Sequence, residues 1–249
     1  NYMDFQAYLA EIIGTAILVL LGNGVVANVL LKKTKGHDGG WIVITFGWGM
    51  AVFVGVFCMA VYSGAMINPA VTIGLAIAGK FSWAQVVPYI ISQMIGAMIG
   101  AFLVWATYKK HYDEVNDPDA VLSTFSTMPE IRSFWHNLLT EIIGTFVLVL
   151  GIIYLVPLTY IGDSHQDVLL RLALPVGLLV FAIGLSLGGP TGYAINPARD
   201  LGPRIMHSIL PIKGKRNSDW KYAVVPVLGP IIGGVLAAGA YWLFGLFPL

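Results

Sequence analysis

SGAMINPAVTIG (residues 63–74) and TGYAINPARDLG (residues 191–202) are two versions of one stretch. Each has a small-residue run, then Ile-Asn-Pro-Ala, then a short segment that continues without a break. Proline suits the first turn of a helix, where its missing N–H would have no partner in any case. Asparagine is favoured just before that turn, because its side chain accepts from a free backbone N–H. Each copy therefore predicts an extended segment running into a helix. Asn68 or Asn196 caps it, Pro69 or Pro197 opens it, and Ala70 or Ala198 follows. A single Asn-Pro-Ala would be an ordinary turn. Two copies, each embedded in apolar sequence, call for a further explanation.

The surrounding composition supplies the setting. Hydrophobic residues make up 57% of the 249, and charged residues only 11%, against about 25% charged in a soluble domain. The chain reads as a polytopic membrane protein, and the opening residues do not read as a secretory leader. A net charge of +1 gives no basis for nucleic-acid binding. The single cysteine, Cys58, cannot form an internal disulfide and reads as a small core residue. His37, His111, His136, His165 and His207 show no metal-ligand spacing, and no nucleophile–base pair stands out. No metal, cofactor or enzymatic activity is expected.

A membrane helix needs about 20 apolar residues. Residues 5–31, 41–62, 81–108, 134–162, roughly 170–188 and 222–249 qualify. Glu11 and Glu141 are isolated charges inside the first and fourth spans. The helices opened by Asn68 and Asn196 run only about 12 residues, or ~18 Å. The hydrocarbon core is about 30 Å thick, so each must enter the bilayer and return. Residues 109–133 read as a polar connection, residues 163–167 as a polar link, and Lys213, Lys215 and Arg216 mark a basic loop. The expected fold is an all-α membrane protein with six transmembrane helices and two re-entrant half-helices.

The two halves repeat. EIIGTAILVL (residues 11–20) recurs as EIIGTFVLVL (residues 141–150), and Val-Val-Pro at 86–88 recurs at 224–226. These pairs, like the two asparagines, are offset by roughly 130 residues, as a duplication predicts. The repeats cover approximately 5–110 and 134–249 within one domain, 1–249. Each half holds three spans, an odd number, so the second half must be inverted. Inverted repeats share a site at the midplane, built from broken helices whose N-termini point inward. Asn68 and Asn196 should therefore meet near the centre. Gly96, Gly100, Gly233 and Gly234 suit close helix contacts, and Pro88 and Pro226 predict kinks.

The doubled Asn-Pro-Ala, the Glu-x-x-Gly-Thr heading each half and Arg199-Asp200 after the second motif together resemble the major intrinsic proteins, or aquaporins. The resemblance covers nearly the whole chain. Within that family the chain is similar to the aquaglyceroporins, the glycerol facilitators. Asp200 and Arg204 stand where that branch has an acid and a base one turn apart. Pro226 stands where it favours proline over the aromatic residue of water channels.

The resemblance implies a passive channel for glycerol, water and other small neutral solutes that excludes ions and protons. It implies a multi-pass protein of the cell membrane, surrounded by lipid bilayer and assembled as a homotetramer with one pore per subunit. The implied selectivity filter is Trp48, Gly184, Tyr193 and Arg199. Glycine in place of the histidine of strict water channels would widen this ring, with Trp48 and Tyr193 forming an apolar corner opposite Arg199. Glycerol has one polar and one hydrocarbon edge, which suits aromatic faces set against an arginine fork. Backbone carbonyls of Gly64, Ala65, Met66 and Ile67, and of Gly192, Tyr193, Ala194 and Ile195, would form a ladder of acceptors. Asn68 and Asn196 would donate side-chain N–H groups at the centre. Met66 replaces a histidine common in relatives, which removes a side-chain hydrogen bond.

Glu11 and Glu141 are expected to accept backbone N–H groups of the loops before the half-helices, the other reading being a proton relay. Asp200 and Arg204 are expected to tie the second half-helix down. Two alternatives stand beside the glycerol channel: a mainly water-conducting pore, and an inverted-repeat secondary transporter. The family orientation puts the N-terminus in the cytoplasm. Lys32, Lys33, Lys35, Lys109, Lys110, Lys213, Lys215 and Arg216 follow spans one, three and five, so the positive-inside rule reads the opposite way.

Overall fold

A computed structural model describes residues 2–155 and 164–246. Helices α1 (Tyr2–Leu30), α2 (Trp41–Ser63) and α4 (Trp83–Thr107) form the spans of the first half, and the half-helix α3 (Pro69–Ile77) lies between the last two. Two short helices, α5 (Lys109–Glu114) and α6 (Pro118–Ser123), lie in the connection. In the second half, α7 (Phe134–Leu155) is followed by α8 (His165–Val168), a π-helical turn (Leu169–Ala173) and α9 (Leu174–Leu187). The half-helix α10 (Pro197–Ile209) and the last span, α11 (Val224–Gly245), complete it. Among the described residues, six stretches are long and apolar enough to cross a membrane, His165–Leu187 counting as one.

The packing repeats with the sequence. Helix α1 lies against α2 and α4, and α7 lies against α9 and α11. These contacts depend on absent side chains. A Cβ on Gly96 of α4 would sit 2.3 Å from the Ile12 carbonyl oxygen, and one on Gly233 of α11 would sit 2.5 Å from that of Ile142. Where α2 crosses α9, Gly49 and Gly177 mirror one another. A Cβ on either would come within 2.8 or 2.9 Å of the other's carbonyl oxygen. Such reciprocity is what a two-fold relation between halves produces. The half-helices then interlock the halves, since α3 packs on α11 as well as α4, and α10 packs on α4 as well as α11.

The outer surface is apolar. Ile91, Ile95 and Ile99 on α4, and Leu139, Ile143 and Val147 on α7, are exposed one turn apart and face where lipid tails would lie. Exposed Trp83, Trp135 and Trp242 sit near helix ends, the depth at which tryptophan partitions to the membrane interface.

Three boundaries differ from the sequence reading. The fifth span starts at His165 rather than near residue 170, because Ser164 of the polar link caps it, its Oγ accepting from Asp167 N at 3.2 Å. The connection at 109–133 is partly helical. Asp117 caps α6 by accepting from the N–H groups of Asp119 and Ala120, and Pro118 opens it. Helices of six residues are too short to show a hydrophobic period. Pro226 falls in the first turn of α11, where its missing N–H costs nothing, and among the described residues the prolines interior to α4, α10 and α11 are Pro88, Pro203 and Pro230. The expected ends of the fourth span (156–162) and sixth span (247–249) lie outside the described residues.

Candidate pore and selectivity filter

The two half-helices meet tip to tip. Asn68 Oδ1 accepts from Ala70 N at 2.9 Å, and Asn196 Oδ1 accepts from Ala198 N and Arg199 N at 3.0 and 3.2 Å. The amide ends of the same side chains reach across the junction. Asn68 Nδ2 donates to Ile195 O at 2.7 Å, and Asn196 Nδ2 donates to Ile67 O at 2.8 Å. The sequence places these amides at the centre as donors but does not show that they link the two loops. Each carries two N–H groups, and one of them fastens the junction. The Ile67 and Ile195 carbonyls each have one of their two acceptor positions occupied by this cross-link. Pro69, Ala70, Pro197 and Ala198 are buried behind the asparagines.

The loops leading to this junction are strained in the same pattern. Gly64, Ala65 and Ile67 have φ of 80, 44 and 45°, and Gly192, Tyr193 and Ile195 have φ of 78, 36 and 44°. Left-handed backbone is an outlier for a β-branched residue and costs about 1–3 kcal/mol per position. Buried carboxylates hold the loops there. Glu11 accepts from Ser63 Oγ (2.7 Å), Met66 N (3.0 Å), Ile67 N (2.8 Å) and Gln93 Nε2 (2.8 Å). Glu141 accepts from Thr191 Oγ1 (2.7 Å), Ala194 N (3.0 Å) and Ile195 N (2.9 Å). Ser63 and Thr191 were missed by the sequence reading. Each opens one copy of the doubled stretch, so their shared position and shared hydroxyl were the available signal. Gln93, which bridges Glu11 to Thr72 Oγ1, gave no such signal.

Two cavities adjoin the Tyr193 loop. One, of about 150 Å³, is lined by apolar residues such as Val52, Val56, Leu148 and Ile152 and by residues 64–68 and 194–196. Met66 lies in this wall. The other, of about 200 Å³, is bounded by the connection (Ser126, Thr127, Glu130) and by Trp41 and Gly192. Trp48, Tyr193 and Arg199 line both, so these three side chains form the partition between them.

The partition is arranged differently from the expected ring in two respects. The Arg199 guanidinium lies 4.2 Å above the centre of the Trp48 ring. Trp48 is therefore the platform under Arg199, in cation–π contact, rather than part of a wall opposite it. Gly184 lines neither cavity. A Cβ there would lie 2.6 Å from Tyr193 Cζ, so the tyrosine ring covers it, and the glycine acts by letting that ring lie low. Arg199 is 6% exposed, and its Nη1 has no hydrogen-bond partner.

Behind the partition, Asp200 and Arg204 form a wholly buried pair, with Nε to Oδ1 at 2.9 Å and Nη2 to Oδ2 at 3.0 Å. Asp200 Oδ2 also accepts from the backbone N and Oγ1 of Thr127 at 2.8 and 2.6 Å. Arg204 donates to the carbonyls of Thr127 and Ser218 at 3.0 and 2.7 Å. The pair thus binds α10 to the connection and to the loop after α10. Among the described residues no group of His, Cys, Asp and Glu could hold a metal ion.

A family model described as major intrinsic protein matches residues 2–241. The chain belongs to the major intrinsic protein family. Relatives in that family include a probable glycerol uptake facilitator protein of Thermotoga maritima, 58% identical over 96% of this chain and 100% of that protein. A glycerol uptake facilitator protein of Streptococcus pneumoniae is 54% identical over 94% of this chain and 97% of that protein. Among solved structures, the aquaglyceroporin from Plasmodium falciparum matches with a TM-score of 0.84 and 33% identity, covering 98% of this chain and 100% of that one. As a major intrinsic protein the chain is a multi-pass integral membrane channel and not an enzyme.

Proposed function

We infer that the protein is a passive channel for glycerol and other small uncharged solutes, with some water flux and with exclusion of ions and protons. The observation that carries this reading is the partition of Trp48, Tyr193 and Arg199 between the two cavities. A polyol presents hydroxyls to the unpaired Nη1 of Arg199 and its CH edge to the aromatic rings. The loop carbonyls then accept its hydroxyls in turn, and the apolar wall of the first cavity accompanies its carbon backbone. The solute assignment is supported by relatives named as glycerol uptake facilitators at 58% and 54% identity.

Charge is opposed twice. Arg199 repels cations at the partition, and the positive ends of both half-helix dipoles converge at the asparagines. In this reading the repeats 5–110 and 134–249 form one channel domain. The channel sits in the cell membrane with its N-terminus in the cytoplasm and assembles as a homotetramer with a pore in each subunit.

Purified protein in liposomes, studied by stopped-flow light scattering, tests the proposal. Glycerol flux should exceed that of empty liposomes, follow only its gradient and carry no proton current. Saturable accumulation driven by an ion gradient would mark a transporter instead. Arg199→Val should raise proton or cation leakage, read with a pH-sensitive dye, and unchanged ion exclusion would refute the role of the guanidinium.

A further inference from the structure

We propose that Trp41 is a positioning residue that sets the bore of the filter by backing the Tyr193 ring and limiting how far it can withdraw from Arg199. The proposal rests on the pore reading above and adds to it the question of how wide a solute can pass.

Tyr193 has no polar anchor. Its hydroxyl is buried without a hydrogen-bond partner, and its backbone φ is 36°. Packing alone therefore fixes where the ring stands. The floor beneath it is a notch made by Gly184 and Gly188, one turn apart. A Cβ on Gly184 would lie 2.6 Å from Tyr193 Cζ and 2.8 Å from its hydroxyl oxygen. A Cβ on Gly188 would lie 2.6 Å from Tyr193 Cδ1, 2.7 Å from Trp41 Cζ2 and 2.6 Å from the Gly184 carbonyl oxygen. Gly188 has φ −79° and ψ −21°, ordinary right-handed backbone, so conformational freedom is not what glycine contributes there. Room for the two rings is.

Trp41 closes the notch from the side. Its ring meets Tyr193 edge to face, with centroids 5.9 Å apart at 75°, a favoured aromatic geometry. Its indole N–H donates to the Gly184 carbonyl at 3.0 Å, which fixes the indole to the notch it closes. One turn on, Thr45 Cγ2 approaches the same glycine at 2.8 Å from a Cβ built there. Trp41 also lines the second cavity, so removing its ring leaves space into which Tyr193 swings away from Arg199.

The test compares parent and variants in liposomes with glycerol, erythritol and ribitol as a graded series. Trp41→Ala is expected to raise the ratio of erythritol to glycerol permeability at least about threefold, a change of the size that small alterations of fit produce. Trp41→Phe keeps a ring but drops the N–H and should shift the ratio less, in the same direction. Gly188→Ala should lower the ratio, because its Cβ pushes both rings toward the lumen. If Trp41→Ala fails to fold, the Phe variant carries the test. Ratios equal to the parent's in the Trp41 variants, even with all fluxes reduced together, would reduce Trp41 to a packing residue and overturn the proposal. A parent that carries no glycerol above lipid background would sink the pore reading itself, which is a distinguishable result.

Discussion

Glu11 accepts four hydrogen bonds with its two oxygens, from two side chains and two backbone N–H groups. A carboxylate offers about four acceptor positions, so Glu11 has none to spare for a proton relay. Its work is to hold Ala65 and Ile67 in left-handed backbone. Glu11→Gln would turn an NH2 group against either Ile67 N and Gln93 or Ser63 and Met66 N. The expected cost is about 2–4 kcal/mol, read as a lower unfolding temperature in detergent, and an unchanged temperature would contradict this role. Gly184 acts through Tyr193. Gly184→His should cut glycerol flux far more than water flux in a swelling assay, because the imidazole lifts the tyrosine ring into the lumen. Equal losses of the two would mean that the ring does not define the bore.

Half-helix α10 is only 13 residues long and cannot hold itself in a bilayer by spanning it. Its backbone is fastened at one end by the Asn196 cap and cross-link, and along its side by Asp200 and Arg204. That pair is fully buried and its hydrogen bonds go to two separate loops, so its members act together. Arg204→Met leaves a buried, uncompensated carboxylate, and such a break costs about 3–5 kcal/mol. The double replacement Asp200→Asn with Arg204→Met removes the stranded charge and should be less damaging than Arg204→Met alone. Unfolding midpoints of the two single variants and the double form a cycle that measures this, and strictly additive losses would show that the pair is not coupled. Half-helix α3 has no acid–base pair. Its side is held by Thr72, whose Oγ1 accepts from Gln93.

Across the whole molecule, the connection at 109–133 is tied to the same rim by exposed ion pairs. Lys33 meets Glu114, Arg216 meets Asp119 and Arg132 meets Asp219, while His111 Nδ1 lies 3.1 Å from Lys32 O. Glu114 is held below the usual carboxylate range, mainly by the hydrogen bond from Lys33 and then by that charge. Asp113 is lowered mainly by its hydrogen bond from Lys109. A lowered native pKa means that the unfolded carboxyl binds its proton first. The Lys33–Glu114 tie is therefore complete above about pH 4 and is lost as the pH falls through and below that range. Hydrogen-exchange protection of residues 109–117, corrected for intrinsic rates, should drop there while the spans stay protected. Lys33→Met should show that loss already at neutral pH, and protection flat down to pH 3 would rule the Lys33–Glu114 tie out as what orders this part of the connection. The effect on overall stability should be small, since exposed pairs contribute little.

Much of this was readable from one dimension. Span lengths are set by the thickness of the bilayer, so hydropathy alone located six crossings. The doubled Asn-Pro-Ala carried its own caps, because proline and asparagine act on their immediate neighbours. An odd number of spans per repeat then required inversion. Other features were settled only in three dimensions. Trp48 lies under Arg199, Tyr193 covers Gly184, and each asparagine donates across to the opposite loop. Each of these joins residues from different helices or halves, and their separation depends on how closely α1, α2, α4 and α9 approach. That approach is decided by glycines whose contribution is an absent atom, which a sequence marks only as a letter and a folded chain turns into contact.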